Sequence, residues 1–324
     1  MAKRNIIVIG ATGKQGRAFI HALLSPSSDG DTNNEAYHVW AITRQPFSPS
    51  AAGILEAEKD HEKNITIVGG DVNDAGRMKE IFTQVSTADG AIFGVFVVLA
   101  YPGLGNKSDE EIKQGKMLAD LAFEFKVEAF VYSSAIQPGP DQDDVHDASH
   151  KAKREIELYG KQLGDKGLNW IIVRPGFFME NFDGFVGSLA VSMLSNGLRK
   201  ETNIALVATE DIGKVSAGVF QNHKRYLHKT LSITGGCLTM NEITAAYKDA
   251  TGKQMPSTPS FFSNLLLRFS TGAQHVVKEI ERNHDVRANG EYPEFDSEVE
   301  LAKSACELQD YRTWITRRTQ KGAE

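Results

Sequence analysis

Three glycines spaced three residues apart, Gly10, Gly13 and Gly16, constrain this chain more than any other feature. They directly follow the apolar run Ile6, Ile7, Val8 and Ile9, and they open residues 16–24, whose apolar positions recur every three or four residues. An apolar run that turns through such a loop into an amphipathic segment is the start of a strand–loop–helix unit. Each glycine has its own task there. The first permits the tight turn, the second lets backbone N–H groups approach a diphosphate, and the third lets helix and strand pack closely. The positive end of the helix then favours the anion. Gly10, Ala11, Thr12, Gly13, Lys14, Gln15 and Gly16 are therefore expected to cradle the diphosphate of a dinucleotide.

The unit recurs along the chain. Apolar runs at 5–10, 37–43, 65–69, 90–99, 129–133, 170–173 and 231–234 read as parallel strands buried on both faces, and helical patterns at 16–24, 75–85, 109–126 and 153–163 lie between them. The expectation is an α/β fold, a Rossmann-type doubly wound parallel sheet. Residues 25–36, polar and turn-rich, read as a surface insertion. After about residue 236 the alternation gives way to helical stretches at 239–251, 260–269, 274–283 and 296–316. This predicts a Rossmann domain over 1–235 and a smaller, mostly helical domain over 236–324, with 177–200 contributing to a substrate cleft.

Composition narrows the partners. With 36 Lys and Arg against 42 Asp and Glu the net charge is −6, so no global basic field attracts nucleic acid. The two cysteines, Cys237 and Cys306, belong to no CxxC or His/Cys cluster, which argues against a metal site and against a disulfide scaffold. The apolar run near the N-terminus is shorter than the roughly 7–15 residues of a signal-peptide core. The longest one, 91–101, falls short of the roughly 18 residues that span a bilayer. A cytoplasmic protein with a small-molecule substrate, no membrane segment and no direct nucleic-acid contact is expected. No motif speaks to oligomeric state.

The end of the second strand chooses between the two nicotinamide dinucleotides. A chain built for NAD places a carboxylate there for the ribose 2′-hydroxyl, whereas this one offers Thr43, Arg44 and Gln45. A guanidinium pairs with a 2′-phosphate and stacks on adenine, which favours NADP(H). Asp71 and Val72, after the third strand, fall beside the adenine; Asp71 either accepts from its amine or caps the next helix.

Several motifs together resemble one family. The glycine loop, Thr43-Arg44-Gln45-Pro46, Gly70-Asp71, Gly115-Lys116, Phe130-Val-Tyr-Ser-Ser134, the run from Arg174 through Pro175, Phe177 and Phe178 to Phe182, and Asp211-Ile212-Gly213 are similar to the pattern of the NmrA-like family of atypical short-chain dehydrogenases. The resemblance continues through Leu238–Tyr247, Thr251-Gly-Lys253 and Tyr311–Trp314. It implies NADP(H) in a cleft between a Rossmann domain and a small C-terminal domain. Members are either reductases or dinucleotide-sensing regulators, and a regulator would have a protein partner and a nuclear option. A third reading keeps NADP tightly held for non-redox or oxidative chemistry.

The conventional Tyr-x-x-x-Lys dyad, in which an ammonium lowers a phenol's pKa for proton exchange, is absent. By resemblance Lys153 takes the lysine position, with Ser149 where the tyrosine would stand; Lys151 is the competing assignment. Lys153 is expected to bind the nicotinamide ribose and to donate a proton. His146, His150 and Tyr101 are weaker candidates for the lost phenol. Ser133, with Ser134 beside it, ends the fifth strand at the carboxyl edge of the sheet, where substrates bind in open α/β folds. Pro175, Phe177 and Phe178 are expected to form a wall of the nicotinamide site, although aromatic clusters more often serve as packing.

Overall fold

β1 (Arg4–Ile9) is buried on both sides. Ile6 and Val8 face one apolar layer, and Ile7 and Ile9 the opposite one. That division organises the computed structural model, which describes residues 3–25, 36–88, 90–100, 109–137 and 148–321. Seven parallel strands run in the order β3-β2-β1-β4-β5-β6-β9: β1, β2 (Tyr37–Thr43), β3 (Ile65–Gly69), β4 (Ile92–Val97), β5 (Ala129–Ser133), β6 (Trp170–Pro175) and β9 (Thr230–Ile233). On one face α1 (Lys14–Leu24) and α7 (Thr209–Gln221) contribute Phe19, Ile20, Val215 and Phe220. On the other, α3 (Ala75–Ala88), α4 (Asp109–Glu124) and α5 (Ala148–Gly164) contribute Phe82, Leu118 and Ile156. Every strand expected from an apolar run is present. The 25–36 insertion falls almost wholly outside the described residues.

α2 (Pro49–Ala57) was not among the expected helices, although its start is ordinary: Pro49 opens it, and Ser48 caps it by accepting from the Ala51 amide at 3.2 Å.

A second layer carries three short strands that no apolar run announced. β7 is the dipeptide Phe177–Phe178, β8 spans Asn203–Val207 and β10 spans Gly236–Thr239; β8 pairs with β7 in parallel and with β10 antiparallel. α6 (Gly184–Gly197), α9 (Met240–Thr251), α10 (Ser260–Phe269) and α11 (Thr271–Ala288) lie around them. Their core is Met179, Leu194, Leu206, Ile243, Tyr311 and Trp314. The expected helix over 296–316 is two helices, α12 (Phe295–Lys303) and α13 (Tyr311–Lys321). The break has a distant cause: the Asp211 carboxylate accepts from the Gln309 amide and side chain, both at 2.8 Å. Asp310 then starts α13 by accepting from the Thr313 amide at 2.7 Å. α12 packs on β9, where Ala302 joins the core of the large sheet. Among the described residues no helix is long and apolar enough to cross a membrane.

Candidate active site

The loop after β1 is closed to any side chain at two of its glycines. Gly10 has φ +77°, and a Cβ there would stand 2.4 Å from the Val98 carbonyl oxygen; one on Gly16 would stand 2.3 Å from the Gly10 carbonyl oxygen. Gly13 caps α1 with backbone alone, and the first turn holds no acidic residue. The positive end of the helix is therefore not neutralised by a carboxylate of its own first turn. Arg17, which no sequence signal marked, fastens the loop: its Nε donates to the Thr12 carbonyl at 3.1 Å, and its guanidinium also donates to the Ser50 carbonyl of α2.

At the ends of β2 and β3, Thr43 is half-buried and its carbonyl accepts from the Gly70 amide at 3.0 Å, while Arg44 is exposed. Asp71 accepts from the Asn73 amide at 2.9 Å. The helix-capping role belongs to Asp74, which takes the Arg77 amide at 2.9 Å. Val72 is half-buried and packs against the α3–α5 layer.

Two of the expected residues meet across the sheet. The Ser133 hydroxyl donates to Gln15 Oε1 at 2.7 Å, tying the end of β5 to the first turn of α1. Ser134 serves its own turn, accepting from Gln137 Nε2 at 3.3 Å. Lys153 is 13% exposed, and its Nζ lies 2.7 Å from Oε1 of Glu111, a residue of α4 that is only 3% exposed. Lys151 faces solvent. Glu111 went unread, though a signal existed: it continues the stripe Gly115, Leu118 and Ala122 that α4 buries. His150, one turn before Lys153, pairs through Nδ1 with Glu279 of α11 at 2.6 Å. Tyr101 and His146 lie outside the described residues, and so does the Ser149 side chain.

Tyr132 is the one phenol on β5. Burial, then the charges of Glu111 and Glu157, push its pKa well above the ordinary range, so it keeps its proton. Beyond it Glu157 and Arg174 form a two-pronged ion pair with oxygen–nitrogen distances of 3.0 and 2.5 Å. Burial alone would raise the Glu157 carboxyl, but the attraction of the Arg174 guanidinium prevails and the net direction is down. Arg174 also donates to the Tyr292 hydroxyl at 2.5 Å, and Tyr292 and Ser232 both donate to Glu298 of α12 at 2.5 and 2.6 Å.

Pro175 is buried, and the two phenylalanines after it divide between layers. Phe177 packs into the small core with its ring 5.4 Å from that of Phe182, while Phe178 packs against the large one. Glu180 caps α7 by accepting from the Thr209 amide at 2.9 Å. Among the described residues no three metal-binding side chains cluster, and both cysteines are free thiols.

Comparison with known proteins agrees with this architecture. The NmrA-like oxidoreductase malD of Malbranchea aurantiaca is 25% identical over 275 residues, 78% of this chain and 74% of that one. Among solved structures, NmrA, a negative transcriptional regulator in complex with NAD, superimposes with a TM-score of 0.67 at 18% identity, covering 100% of this chain and 99% of its own. Leucoanthocyanidin reductase of Vitis vinifera, in binary complex with NADPH, gives 0.66 at 16% identity, covering 98% and 99%. The sequence profile of the NmrA-like family matches residues 2–315, and the chain belongs to that family.

Proposed function

We propose that this chain is an NADP(H)-dependent reductase of a small organic carbonyl, imine or enone of specialised metabolism. The observation that carries the reading is the backbone cradle at Gly10–Gly16, closed to side chains at Gly10 and Gly16 and set on a helix end without a side-chain cap or an acid in its first turn. Oxidoreductase is the printed role of malD, and a nicotinamide dinucleotide accompanies both solved relatives, NAD in one and NADPH in the other. The preference for NADP(H) is drawn from Arg44, the exposed cation at the end of β2.

A nicotinamide nucleotide held there would supply the hydride that reduces the substrate carbon. The amides from Ala11 to Gly16 hold the diphosphate, Thr43 and Arg44 flank the adenosine ribose, and Asp71 and Val72 border the adenine. Ser133, held by Gln15, and Pro175, Phe177 and Phe178 border the nicotinamide. Lys153 gives a proton from Nζ to the oxygen or nitrogen that gains negative charge, an N–H bond breaking as the O–H or N–H bond forms, and solvent restores the ammonium. Residues 236–324, with 177–200, supply the substrate side of the cleft.

Thermal unfolding with each nucleotide tests the binding half, because a ligand bound only by the folded state raises Tm. NADPH is expected to raise it more than NADH; equal shifts would remove the Arg44 assignment. The missing Tyr-x-x-x-Lys favours a second reading, a redox-sensing regulator. A protein partner whose affinity follows the NADPH/NADP+ ratio, without carbonyl turnover, would select it.

A further inference from the structure

Proton donation by Lys153 leaves its partner without a stated task. Glu111 sits on the buried stripe of α4, where a carboxylate is costly unless it is paired. Only one of its oxygens meets the Lys153 ammonium; Oε2 is buried without a hydrogen-bond partner among the described residues. Such a pair is a poor way to gain stability, since apolar side chains of similar volume often serve as well or better. The contrast with the rest of the same interface is direct. One turn outward Lys116 and Glu155 join α4 to α5 at 3.3 Å with both side chains more than a third exposed. Beside that pair the two helices already approach closely through apolar contact, since a Cβ on Gly115 would come 2.5 Å from the Ile156 side chain.

We propose that Glu111 is the positioning carboxylate of Lys153, aiming Nζ along the carboxyl edge of the sheet and balancing its charge in a site that excludes water. Its purpose rests on the reductase reading; the pairing itself belongs to the protein without ligands. During proton delivery the N–H bond of Lys153 breaks, the amine is left neutral beside Glu111, and Glu111 stays ionised and transfers nothing.

The test uses the whole chain without nucleotide. Acetylation of Lys153 by an N-hydroxysuccinimide ester is followed across pH by peptide mass spectrometry, with solvent-facing Lys151 as internal reference. Only the neutral amine reacts. Glu111→Gln removes an opposite charge within hydrogen-bond distance, so Lys153 should react about tenfold faster at a given pH below the plateau, its curve moved to lower pH. Glu111→Asp should move it less, and Lys151 should not respond. Coincident Lys153 curves for the wild type and Glu111→Gln would overturn the proposal; if that variant does not fold, coincidence for Glu111→Asp overturns it equally. A shifted curve alongside undiminished turnover in Lys153→Met would leave the pairing standing and take the proton-donor role from Lys153, whereas a shifted curve with no NADPH-dependent turnover of any carbonyl, imine or enone by the wild type would leave the pairing standing and remove the reductase reading.

Discussion

The two halves of the sheet's carboxyl edge treat charge in opposite ways. Around β1–β3 the chain presents backbone amides at a helix end without a side-chain cap and the exposed Arg44, which has no hydrogen bond or ion pair among the described residues. Around β5, β6 and β9 the cations are already neutralised, Lys153 by Glu111 and Arg174 by Glu157 and Glu298. On the function proposed above, the first half receives its counter-charge from the nucleotide. The second carries its own. Substitutions in the first should therefore change affinity while sparing stability, and those in the second should reach stability or turnover.

The largest effect is expected at Arg174. Arg174→Met leaves Glu157, 3% exposed, as a buried charge without its partner and should cost about 3–5 kcal/mol in denaturant unfolding. The same pair gives the second half an acid limb. The folded-state pKa of Glu157 lies below its ordinary value of 4.5, so its contribution is full above that value and fades as pH falls through the lower, folded one. Wild type should lose this contribution on acidification; a Glu157→Gln variant has none to lose, so its unfolding curve should be flatter in that window.

Next comes Lys153→Met, which should lower turnover by about 100-fold or more while nucleotide affinity stays within about tenfold, measured by steady-state rates and calorimetry. Retained turnover would move the proton donor to Lys151 or elsewhere. Smaller still, Arg44→Asp should narrow the NADPH-over-NADH preference by about tenfold, or about 1.4 kcal/mol, with Tm of the free protein unchanged. A fall in Tm would mean that the two halves do not differ as described. Last, Asp249→Asn breaks the exposed pair with Arg312 at 2.6 Å and should change stability by less than about 1 kcal/mol.

The large sheet could be read from residue order because each parallel strand is buried on both faces and so becomes a continuous apolar run, as Ile6–Ile9 does. The small sheet could not. β7 is two residues long and its partner β8 is completed by β10, which arrives only at Gly236, so no local pattern states the pairing. The break before α13 is equally remote, set by Asp211 holding Gln309. By contrast, the start of α9 is local: Thr239 and Glu242 cap each other's backbone amides at 3.3 and 2.8 Å. Within the candidate site the glycine loop was legible through its own steric needs. Glu111 was hidden because an acid on a helix is ordinarily a solvated one, and only the neighbouring Gly115, Leu118 and Ala122 reveal its face.

The seat of α12 on β9 has a consequence for biosynthesis. The edge strand β9 of the large sheet gains its flank, and Arg174 its link to Glu298, from residues translated well after every strand of that sheet has left the ribosome. A nascent chain halted before Phe295 would expose the Leu231 and Ile233 edge together with a guanidinium only partly satisfied, a surface suited to chaperone capture. Completion of the last helices is thus needed to cover the large sheet, and premature termination near the C-terminus should act as a folding defect of that sheet.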